Sequence, residues 1–276
     1  REGKYDSLQE ALILSDSGKP YLYTREGNQL ESITSIDVIF PVLHGTFGED
    51  GTIQGLFEIQ NCAYVGAGVL GSSVAMDKAV CKHVMESIGV PVLAYSVFSR
   101  RDIQENLQET IASAEQVAPY PLFTKPANLG SSVGISKAHN REELSEALQL
   151  AARYDRRILV ERGIDAREIE ISVLGNTDVQ CTVPGEIVPG DEFYTYKDKY
   201  QSGDPEVAIP APLPDAQTAL IQQYAIKAFK AVDGAGLARV DFLIDKLTGE
   251  AYFNEINTMP GFTQISMYPK LWLYSG

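Results

Sequence analysis

Stretches typical of strands and stretches typical of helices alternate along this chain. Residues 36–43 form a run of β-branched, aromatic and aliphatic residues that predicts a buried strand, and residues 52–59 follow a helical stripe. Residues 63–66 predict a short strand, and apolar side chains recur at helical spacing over 75–88. Because each helix must bury its apolar stripe against a sheet, this alternation restricts the fold to α/β or α+β layers. The first unit fits a small open sheet, which binds ligands at the carboxyl ends of its strands.

The alternation continues through two further units. The second unit contains predicted strands over 95–98, 121–126 and 158–161 and predicted helices over 103–116 and 141–152. The third contains a strand over 168–175, a polar loop over 189–205, a helix over 216–232, and two strands over 238–245 and 250–257 joined by a turn. A loop as long as 189–205 is uncommon unless it has a function, such as closing over a ligand.

The charge balance excludes several classes of function. The chain has 276 residues, with 23 Lys and Arg against 37 Asp and Glu, and a formal net charge of −14. Phosphate backbones and anionic lipid would repel such a chain, so we expect no nucleic-acid partner and no membrane partner. No apolar run approaches the roughly 18 residues that span a bilayer.

The cysteines are Cys62, Cys81 and Cys181. Their number is odd and their spacing is unlike that of a metal site, which indicates a reducing compartment. We expect all three to be small buried apolar residues rather than reactive thiols.

The last pair of predicted strands carries the most informative polar residues. Because side chains alternate with a period of two, Arg239 and Asp241 share one face of the first strand. Glu255 and Asn257 share one face of the second, and the turn brings the two strands side by side. Asp241, Glu255 and Asn257 then form an all-oxygen site that suits Mg²⁺, which usually keeps water and substrate phosphates as its other ligands. The alternative is a solvated polar face on an edge hairpin.

Three other segments carry residues that suit small or anionic ligands. Lys125 lies at the end of a predicted strand and precedes a Gly/Ser loop over 130–134, whose backbone N–H groups can hold phosphate oxygens. Residues 193–200 place tyrosines and lysines in the long polar loop, and residues 43–51 place a histidine and two acids in a Gly-rich turn. Taken singly, the Gly/Ser loop is compatible with an ordinary strand–turn connection, and residues 193–200 are compatible with a solvated loop. Residues 43–51 are compatible with a capped turn at a helix N-terminus.

The four features occur in one chain, and together they favour a nucleotide-dependent ligase. They supply a phosphate loop, a metal hairpin, a cationic loop and a separate Gly-rich turn. No GxGxxG motif follows a predicted strand, which disfavours a nicotinamide enzyme. Ser131 and Ser132 lack the GxSxG context of a nucleophilic serine.

The motifs, with their order and spacing, resemble those of the D-alanine–D-alanine ligases. The resemblance extends from Ile36 to Leu271, and it is carried by His44-Gly45 with Gly48-Glu49-Asp50-Gly51, Met76-Asp77-Lys78, Lys125-Pro126 with Gly130-Ser131-Ser132-Val133-Gly134, Tyr196 with Lys199-Tyr200, Ala238-Arg239-Val240-Asp241, and Asn254-Glu255-Ile256-Asn257-Thr258-Met259-Pro260-Gly261-Phe262-Thr263. It implies the ATP-grasp fold, an α/β fold in which a small N-terminal open-sheet domain precedes two α+β domains that sandwich ATP. The implied divisions are a substrate-binding domain over 1–70, a central ATP-grasp subdomain over 71–164, and a C-terminal ATP-grasp subdomain over 165–276 with a lid loop at 189–205 and a metal hairpin at 238–257.

The resemblance also implies a cytoplasmic reaction that supplies a dipeptide for peptidoglycan precursors. The carboxylate of a first D-alanine attacks the γ-phosphate of ATP, and the amine of a second D-alanine attacks the resulting acyl phosphate. The implied cofactor is Mg²⁺, as two ions that Mn²⁺ can replace. The implied partners are ATP and D-alanine, and the implied assembly is a homodimer.

Carried over residue by residue, the resemblance implies a role for each matching position. The nucleotide would be held by Lys78, Lys125, Ser131, Ser132, Glu161, Glu168, Lys199 and Asn254, with Glu161 and Glu168 on the adenine amino group and the ribose hydroxyls. The metal ligands would be Asp241, Glu255 and Asn257, and the D-alanine subsites would be lined by His44, Glu49, Ser266 and Met267. The catalytic groups would be Arg239 and the backbone N–H of Gly261, as an oxyanion hole, with Ser131, Lys199 and Tyr200 from the covering loops.

Tyr200 bears on the second substrate. It matches the lid tyrosine of the dipeptide-forming enzymes, whereas relatives that make D-alanyl-D-lactate carry another residue there. An amine acceptor is therefore favoured over D-lactate, and the alternatives are a D-alanyl-D-lactate ligase or another ATP-grasp dipeptide ligase. A catalytically silent ATP-binding scaffold is the alternative from another class. The intact set of proposed catalytic and metal residues argues against it: Lys125, Lys199, Arg239, Asp241, Glu255 and Asn257.

One family feature is missing from the start of the chain. The family opens with a Gly-rich turn whose acidic residue binds the ammonium of the first D-alanine, and no such turn precedes Tyr5. The family also continues past Leu271 by a helical turn or two. We therefore expect a chain truncated at both ends, which binds ATP but ligates poorly unless another residue replaces that acid. Full ligase activity of residues 1–276 alone would contradict this expectation.

Overall fold

The computed structural model describes residues 9–130, 133–188 and 206–276, and it confirms the predicted mixture of helices and open sheets. The helices in this part of the chain are α1 (Thr52–Ile59), α2 (Val69–Met76), α3 (Lys78–Ser87), α4 (Arg100–Glu105), α5 (Leu107–Ala114), α6 (Arg141–Tyr154), α7 (Asp215–Ala231) and α8 (Met267–Ser275). The strands are β1 (Glu10–Asp16), β2 (Lys19–Glu26), β3 (Gln29–Ser35), β4 (Tyr95–Ser99), β5 (Leu122–Pro126), β6 (Ser136–Ala138), β7 (Arg157–Arg162), β8 (Ala166–Gly175), β9 (Gln180–Cys181), β10 (Gly185–Val188), β11 (Glu206–Ala208), β12 (Gly236–Asp245) and β13 (Ala251–Asn257).

The strands pair antiparallel in three open sheets. Strands β1, β2 and β3 form a meander in the order of the chain. A four-stranded sheet has the order β4-β7-β5-β6, and a six-stranded sheet has the order β11-β10-β8-β12-β13, with β9 on β8. The predicted hairpin is therefore the β12–β13 pair at one edge of the larger sheet, with β8 on its other side.

Separate hydrophobic cores hold the two larger sheets. Phe242 and Phe253 of the hairpin pack edge to face, with ring centroids 6.2 Å apart, and they lie in one fully buried cluster with Phe229 of α7 and Met85 of α3. The second core packs α6 against β5 and β7. Each large apolar side chain that is buried in this way contributes about 1.5–3 kcal/mol. The strands that carry the candidate site residues are thus fixed from behind by apolar packing.

Residues 9–66 differ from the sequence prediction. Strands predicted over 36–43 and 63–66 are reduced to one parallel bridge between Ile39 and Tyr64. Val38 and Phe40 remain 57% and 44% exposed, so this stretch lacks the apolar cover that a buried strand needs. The β1–β3 meander was not predicted, because its strands are mostly polar and exposed. The assignment of residues 1–70 to a separate substrate-binding domain stays a prediction, as do the other two divisions.

Two predicted helices are each divided by one residue. The helix predicted over 75–88 is interrupted at Asp77, which has extended backbone angles (φ −84°, ψ 101°) and accepts a hydrogen bond from Val80 N as the N-cap of α3. The capping aspartate also pairs with Arg157. The helix predicted over 103–116 is divided at Asn106 into α4 and α5. A capping side chain that competes with the helical hydrogen bonds explains the first break.

None of the helices in the described ranges is long and apolar enough to cross a lipid bilayer. The three cysteines are free, and Cys62 and Cys81 are buried as expected, whereas the prediction is wrong for Cys181, which is half-buried on the short strand β9. Burial raises the pKa of the Cys81 thiol to about 12, which makes it a poor nucleophile.

Candidate active site

A cavity of about 240 Å³ lies where the Gly-rich turn, α2, the β12–β13 hairpin and the start of α8 meet. Within the described ranges, its charged lining residues are three acids, Glu49, Glu170 and Glu255, and two bases, Lys78 and Arg239. The predicted substrate residues His44, Ser266 and Met267 line the same cavity, as do Asn257 and Gly261. The structure therefore brings together residues that the sequence places more than 200 positions apart.

The hairpin provides the core of this site. Arg239 lies opposite Asn257, and Asp241 lies opposite Glu255, so the two strand faces that the sequence predicts lie side by side. The guanidinium of Arg239 donates from Nε to Asp241 Oδ1 and from Nη2 to Asp241 Oδ2, each at 2.7 Å. Asn257 Nδ2 donates to Asp241 Oδ2 at 3.1 Å. The hairpin thus presents two carboxylates, one amide and one guanidinium on a single face.

A bulge follows this set of residues. The register shifts between Asp241 and Phe242, so that Asp241 pairs with Glu255 while Phe242 pairs with Phe253. Asn254 is the additional residue at this point and lies outside the cavity lining. Bulges re-aim side chains beside functional sites, and here the bulge changes the strand direction next to the acids.

Glu170 is a residue of this site that the sequence reasoning missed. It lies on β8 directly opposite Asp241, and Arg239 Nε lies 3.0 Å from Glu170 Oε2. Burial disfavours a charged guanidinium, but Asp241 and Glu170 outweigh that effect and raise the pKa of Arg239 well above its ordinary value. The signal was present in the alternation of β8, where Glu168 and Glu170 share one face, but the pairing of β8 with β12 was not predicted.

The donor set fits a hard divalent cation. No group of three or more His, Cys, Asp or Glu that suits a metal occurs among the residues that the structure describes, and the hairpin offers two carboxylates and an amide oxygen instead. Among the lining residues that the structure describes, three carboxylates face two cations, so an added cation would relieve repulsion between these carboxylates. Mg²⁺ commonly takes only one or two carboxylates and fills its other positions with water and phosphate oxygens.

The predicted phosphate-binding lysines lie on separate elements. Lys78, the first residue of α3, donates to the carbonyl of Leu129 at 2.6 Å and lies 3.8 Å from Glu255 Oε2. Lys125 on β5 lies outside the cavity lining and donates to Glu161 Oε2 at 2.6 Å. Glu161 is 1% exposed and its other oxygen contacts Lys82. Glu168 is half-buried on β8, outside the cavity lining.

His44 and Glu49 connect the Gly-rich turn to the loop after the hairpin. The carboxylate of Glu49 accepts from Gly45 N at 2.6 Å and from Met259 N at 3.2 Å. His44 Nδ1 lies 2.8 Å from the Met259 carbonyl oxygen, to which it donates. These contacts hold residues 258–261 against the turn, and so they position the backbone of Gly261.

The loop after the hairpin leaves no room for a side chain at Gly261. A Cβ atom there would lie 2.5 Å from Ser266 Oγ. Ser266 Oγ accepts from Thr263 N at 3.0 Å, which closes the loop on itself. Met267 starts α8 and is buried with Ile187 and Leu271. The remaining predicted site residues, Ser131, Ser132, Lys199 and Tyr200, and the predicted lid over 189–205, lie outside the described residues.

The burial of Glu49 predicts a pH-dependent stability. Burial raises the pKa of its carboxyl, although hydrogen bonds from Gly45 and Met259 act in the opposite direction. Because the folded protein then holds this proton more tightly than the unfolded chain, stability falls as pH rises from the ordinary pKa of 4.5 through the raised value. We expect the free energy of unfolding of the wild type to fall in this window relative to that of Glu49→Gln.

Urea unfolding of both proteins across this pH range measures the difference. Glu31→Gln, a change at an exposed glutamate, corrects for the general effect of removing one charge. A wild type that gains stability relative to Glu49→Gln as pH rises would show that the pKa of Glu49 is lowered rather than raised.

Comparison with known proteins gives consistent matches over the whole chain. Residues 4–67 match the family model described as D-ala D-ala ligase N-terminus, and residues 84–276 match the one described as D-ala D-ala ligase C-terminus. A D-alanine–D-alanine ligase of Heliobacterium modesticaldum is 52% identical over 276 residues, which are 100% of this chain and 75% of that protein.

Solved structures agree with the sequence matches. The D-alanine-D-alanine ligase from Coxiella burnetii superposes with a TM-score of 0.80 and 38% identity, covering 99% of this chain and 71% of that one. The VanG D-Ala:D-Ser ligase from Enterococcus faecalis superposes with a TM-score of 0.79 and 33% identity, covering 93% of this chain and 75% of that one.

Proposed function

We propose that the chain joins two D-alanines through a D-alanyl phosphate, because it belongs to the D-alanine–D-alanine ligase family. Members of this family are ATP-dependent ligases with the ATP-grasp fold, and they make D-alanyl-D-alanine for peptidoglycan synthesis. The observation that supports this most is the convergence of Arg239, Glu255, Asn257 and the backbone of Gly261 on one cavity. This arrangement combines a cation and a backbone N–H with an acidic set that suits Mg²⁺.

In the proposed first step, a carboxylate oxygen of D-alanine attacks the γ-phosphorus of ATP. The bond from that phosphorus to the β–γ bridging oxygen breaks, and ADP leaves with the electron pair. Lys78, held by the Leu129 carbonyl, would bind phosphate oxygens at the cavity wall, and Lys125 would bind them from β5. Asp241, Glu255 and Asn257 would hold Mg²⁺, which supplies positive charge to the phosphates when bound.

In the proposed second step, the amine nitrogen of the second D-alanine attacks the acyl carbon. The resulting tetrahedral oxyanion would accept hydrogen bonds from the guanidinium of Arg239 and from Gly261 N–H. The intermediate then collapses, the bond to the phosphate oxygen breaks, inorganic phosphate leaves, and the nitrogen releases a proton. Arg239 suits this role because Asp241 and Glu170 already hold its guanidinium in one orientation, which lowers the reorganisation that the step needs.

The other residue assignments stay predictions. We propose that His44 and Glu49 act at the first D-alanine subsite chiefly by fixing the loop that carries Gly261, and that Ser266 and Met267 line the second. The adenine and ribose contacts of Glu161 and Glu168, and the contacts of Asn254, are carried by the family resemblance alone. A cytoplasmic location and a homodimer are proposed on the same basis.

A second candidate function differs from the first in the second substrate, which is the molecule that accepts the D-alanyl group. The similarity to a D-Ala:D-Ser ligase shows that this fold also accepts D-serine, and Tyr200 favours an amine acceptor over D-lactate. The purified protein with ATP, Mg²⁺ and an equal mixture of D-alanine, D-serine and D-lactate should give D-alanyl-D-alanine as its main product. A main product that contains D-serine or D-lactate would replace the proposed acceptor.

ADP release tests the proposed reaction and the lid together. We expect ADP to appear only when D-alanine is present, and Lys199→Ala to lower its rate by about 10²-fold, because a cation that contacts the transferred phosphoryl group is lost. Lys197→Ala, in the same loop, is the matched control. ATP binding without any D-alanine-dependent ADP release would identify a silent scaffold, and unchanged release in Lys199→Ala would remove that lysine from the mechanism.

A further inference from the structure

Lys82 is a fully buried lysine that no step of the proposed reaction uses. It lies one helical turn after Lys78 on α3 and is 1% exposed. Lysines are almost never buried to this degree without a partner, because an unpaired charge in the interior costs several kcal/mol. Its ammonium contacts Glu161 Oε1 and lies 5.6 Å from the centroid of the Tyr95 ring. A residue held at this cost warrants a functional explanation.

Glu161 is shared between two lysines. One of its oxygens contacts Lys82, and the other accepts from Lys125 Nζ at 2.6 Å. Burial alone would raise the pKa of the Glu161 carboxyl, but Lys125 and Lys82 outweigh that effect and lower it to about 2. The three side chains therefore carry one negative and two positive charges, and the group as a whole is singly positive.

The excess positive charge lies at the outer end of this group. The side chains of Lys82 and Glu161 are each 2% exposed, whereas that of Lys125 is 12% exposed. Strand pairing sets the order, because β7 carries Glu161 between Tyr95 of β4 and Phe123 of β5, and Lys125 shares the strand face of Phe123. Lys125 Nζ also lies 5.9 Å from the Phe123 ring centroid.

We propose that Lys82 is a positioning residue for nucleotide binding, which neutralises Glu161 from the inside so that Lys125 keeps a net positive charge for the phosphates of ATP. The inference rests on the proposed function, in which Lys125 binds those phosphates. Without Lys82, Glu161 and Lys125 form a pair with no net charge, and the phosphates must compete with Glu161 for the Lys125 ammonium. Lys82 thus acts on ATP through two other side chains.

The test is a pair of variants measured by titration with ATP and Mg²⁺ in the absence of D-alanine. Lys82→Met keeps the length of the side chain and removes its charge, and we expect it to weaken ATP binding by roughly 10-fold. The double variant Lys82→Met/Glu161→Gln removes both buried charges and leaves Lys125 singly positive. Because Glu161 is also the proposed adenine contact, the quantity to compare is the ratio of ATP affinity to adenosine affinity, in which any adenine effect cancels. We expect this ratio in the double variant to return to within about 3-fold of the wild-type ratio.

Adenosine provides the readout that a purely structural role would not produce. Because it carries no phosphate, its affinity should be the same in Lys82→Met and in the wild type. An equal loss of adenosine and ATP binding in Lys82→Met, or a double variant as weak as the single one, would overturn the proposal. If Lys82→Met does not fold, as judged by circular dichroism, the comparison of the double variant with the wild type still decides, since a fall in its ratio of ATP affinity to adenosine affinity contradicts the proposal.

A further variant separates this inference from the proposed function. Lys125→Met should weaken ATP binding, and the addition of Lys82→Met to it should have no further effect. If Lys125→Met binds ATP as the wild type does, the role of Lys82 is wrong, whereas D-alanine-dependent ADP release by the same protein would still support the ligase.

Discussion

Replacement of Arg239 by methionine should lower kcat for D-alanine-dependent ADP and phosphate release by about 10²–10³-fold, which is the typical cost of removing one oxyanion-hole donor. The guanidinium is pre-oriented by two 2.7 Å hydrogen bonds to Asp241 and by Glu170 at 3.0 Å. Methionine preserves much of the packing and removes the charge and all five donors. The loss should fall on kcat more than on KM for ATP, because the oxyanion exists only in the transition state region.

Two further variants test the reason for this loss. Arg239→Lys keeps the charge but not the planar fork, so it should recover only a small part of the rate. Arg167→Met is the matched control, because Arg167 makes an equivalent two-bond pair with Glu186 on the same sheet, with hydrogen bonds of 2.8 and 2.6 Å, away from the cavity lining. It should leave kcat within about 3-fold of the wild type. Equal losses in Arg239→Met and Arg167→Met would show that the effect comes from the sheet rather than from the oxyanion.

The Arg239 variant also has a predictable structural cost. It leaves Asp241 and Glu170, which lie directly opposite each other, as two buried carboxylates without their shared cation. Removing one partner of a buried charge pair typically costs about 3–5 kcal/mol. The double variant Arg239→Met/Glu170→Gln should regain stability without regaining rate, which separates the catalytic effect from unfolding. Thermal melts of the three proteins measure this difference.

The parts of the site that follow from local periodicity were predictable from the sequence. The alternation of apolar and polar residues placed Arg239 and Asp241 on one strand face and Glu255 and Asn257 on another, and the short turn at Thr248–Gly249 placed the two strands side by side, whereas the register shift after Asp241 was not predicted. Helix α1 was predicted with its observed bounds, because its apolar stripe begins and ends at turn residues. In these segments each residue's position depends on neighbours a few positions away.

The parts that depend on long-range packing were not predictable. Glu49 accepts from the backbone of Met259, 210 positions away, and Lys82 is buried only because β4 and β7 pack over α3. From the sequence alone, Lys82 is expected on the polar side of an amphipathic helix. Its contact with Glu161 depends on how α3 packs against the sheet that contains β4 and β7. Glu170 was missed for the same reason, since nothing local indicates that β8 pairs with β12. The resemblance to a known family supplied the roles that geometry alone leaves open.

Replacement of Glu255 by glutamine should raise the Mg²⁺ concentration needed for half-maximal activity by at least about 10-fold and lower kcat/KM at fixed Mg²⁺ by about 10²-fold, because one of two carboxylate ligands is lost. Glu250→Gln, the same change just before β13, is the matched control and should leave the Mg²⁺ requirement unchanged. Mn²⁺ binding followed by electron paramagnetic resonance gives a readout that is independent of turnover. An unchanged metal affinity in Glu255→Gln would remove this residue from the metal site.

Asp241→Asn should differ from Glu255→Gln in a specific way. Both oxygens of Asp241 already accept from Arg239, and Oδ2 also accepts from Asn257, so this carboxylate serves the guanidinium and the metal at once. A carboxylate offers about four lone-pair sites, which is enough for both partners. Asparagine would turn one acceptor into a donor that opposes the guanidinium, so Asp241→Asn should raise the Mg²⁺ requirement and also lower kcat at saturating Mg²⁺. Saturating Mg²⁺ should restore much of the rate of Glu255→Gln but little of that of Asp241→Asn, and equal recovery in both would contradict the shared role of Asp241.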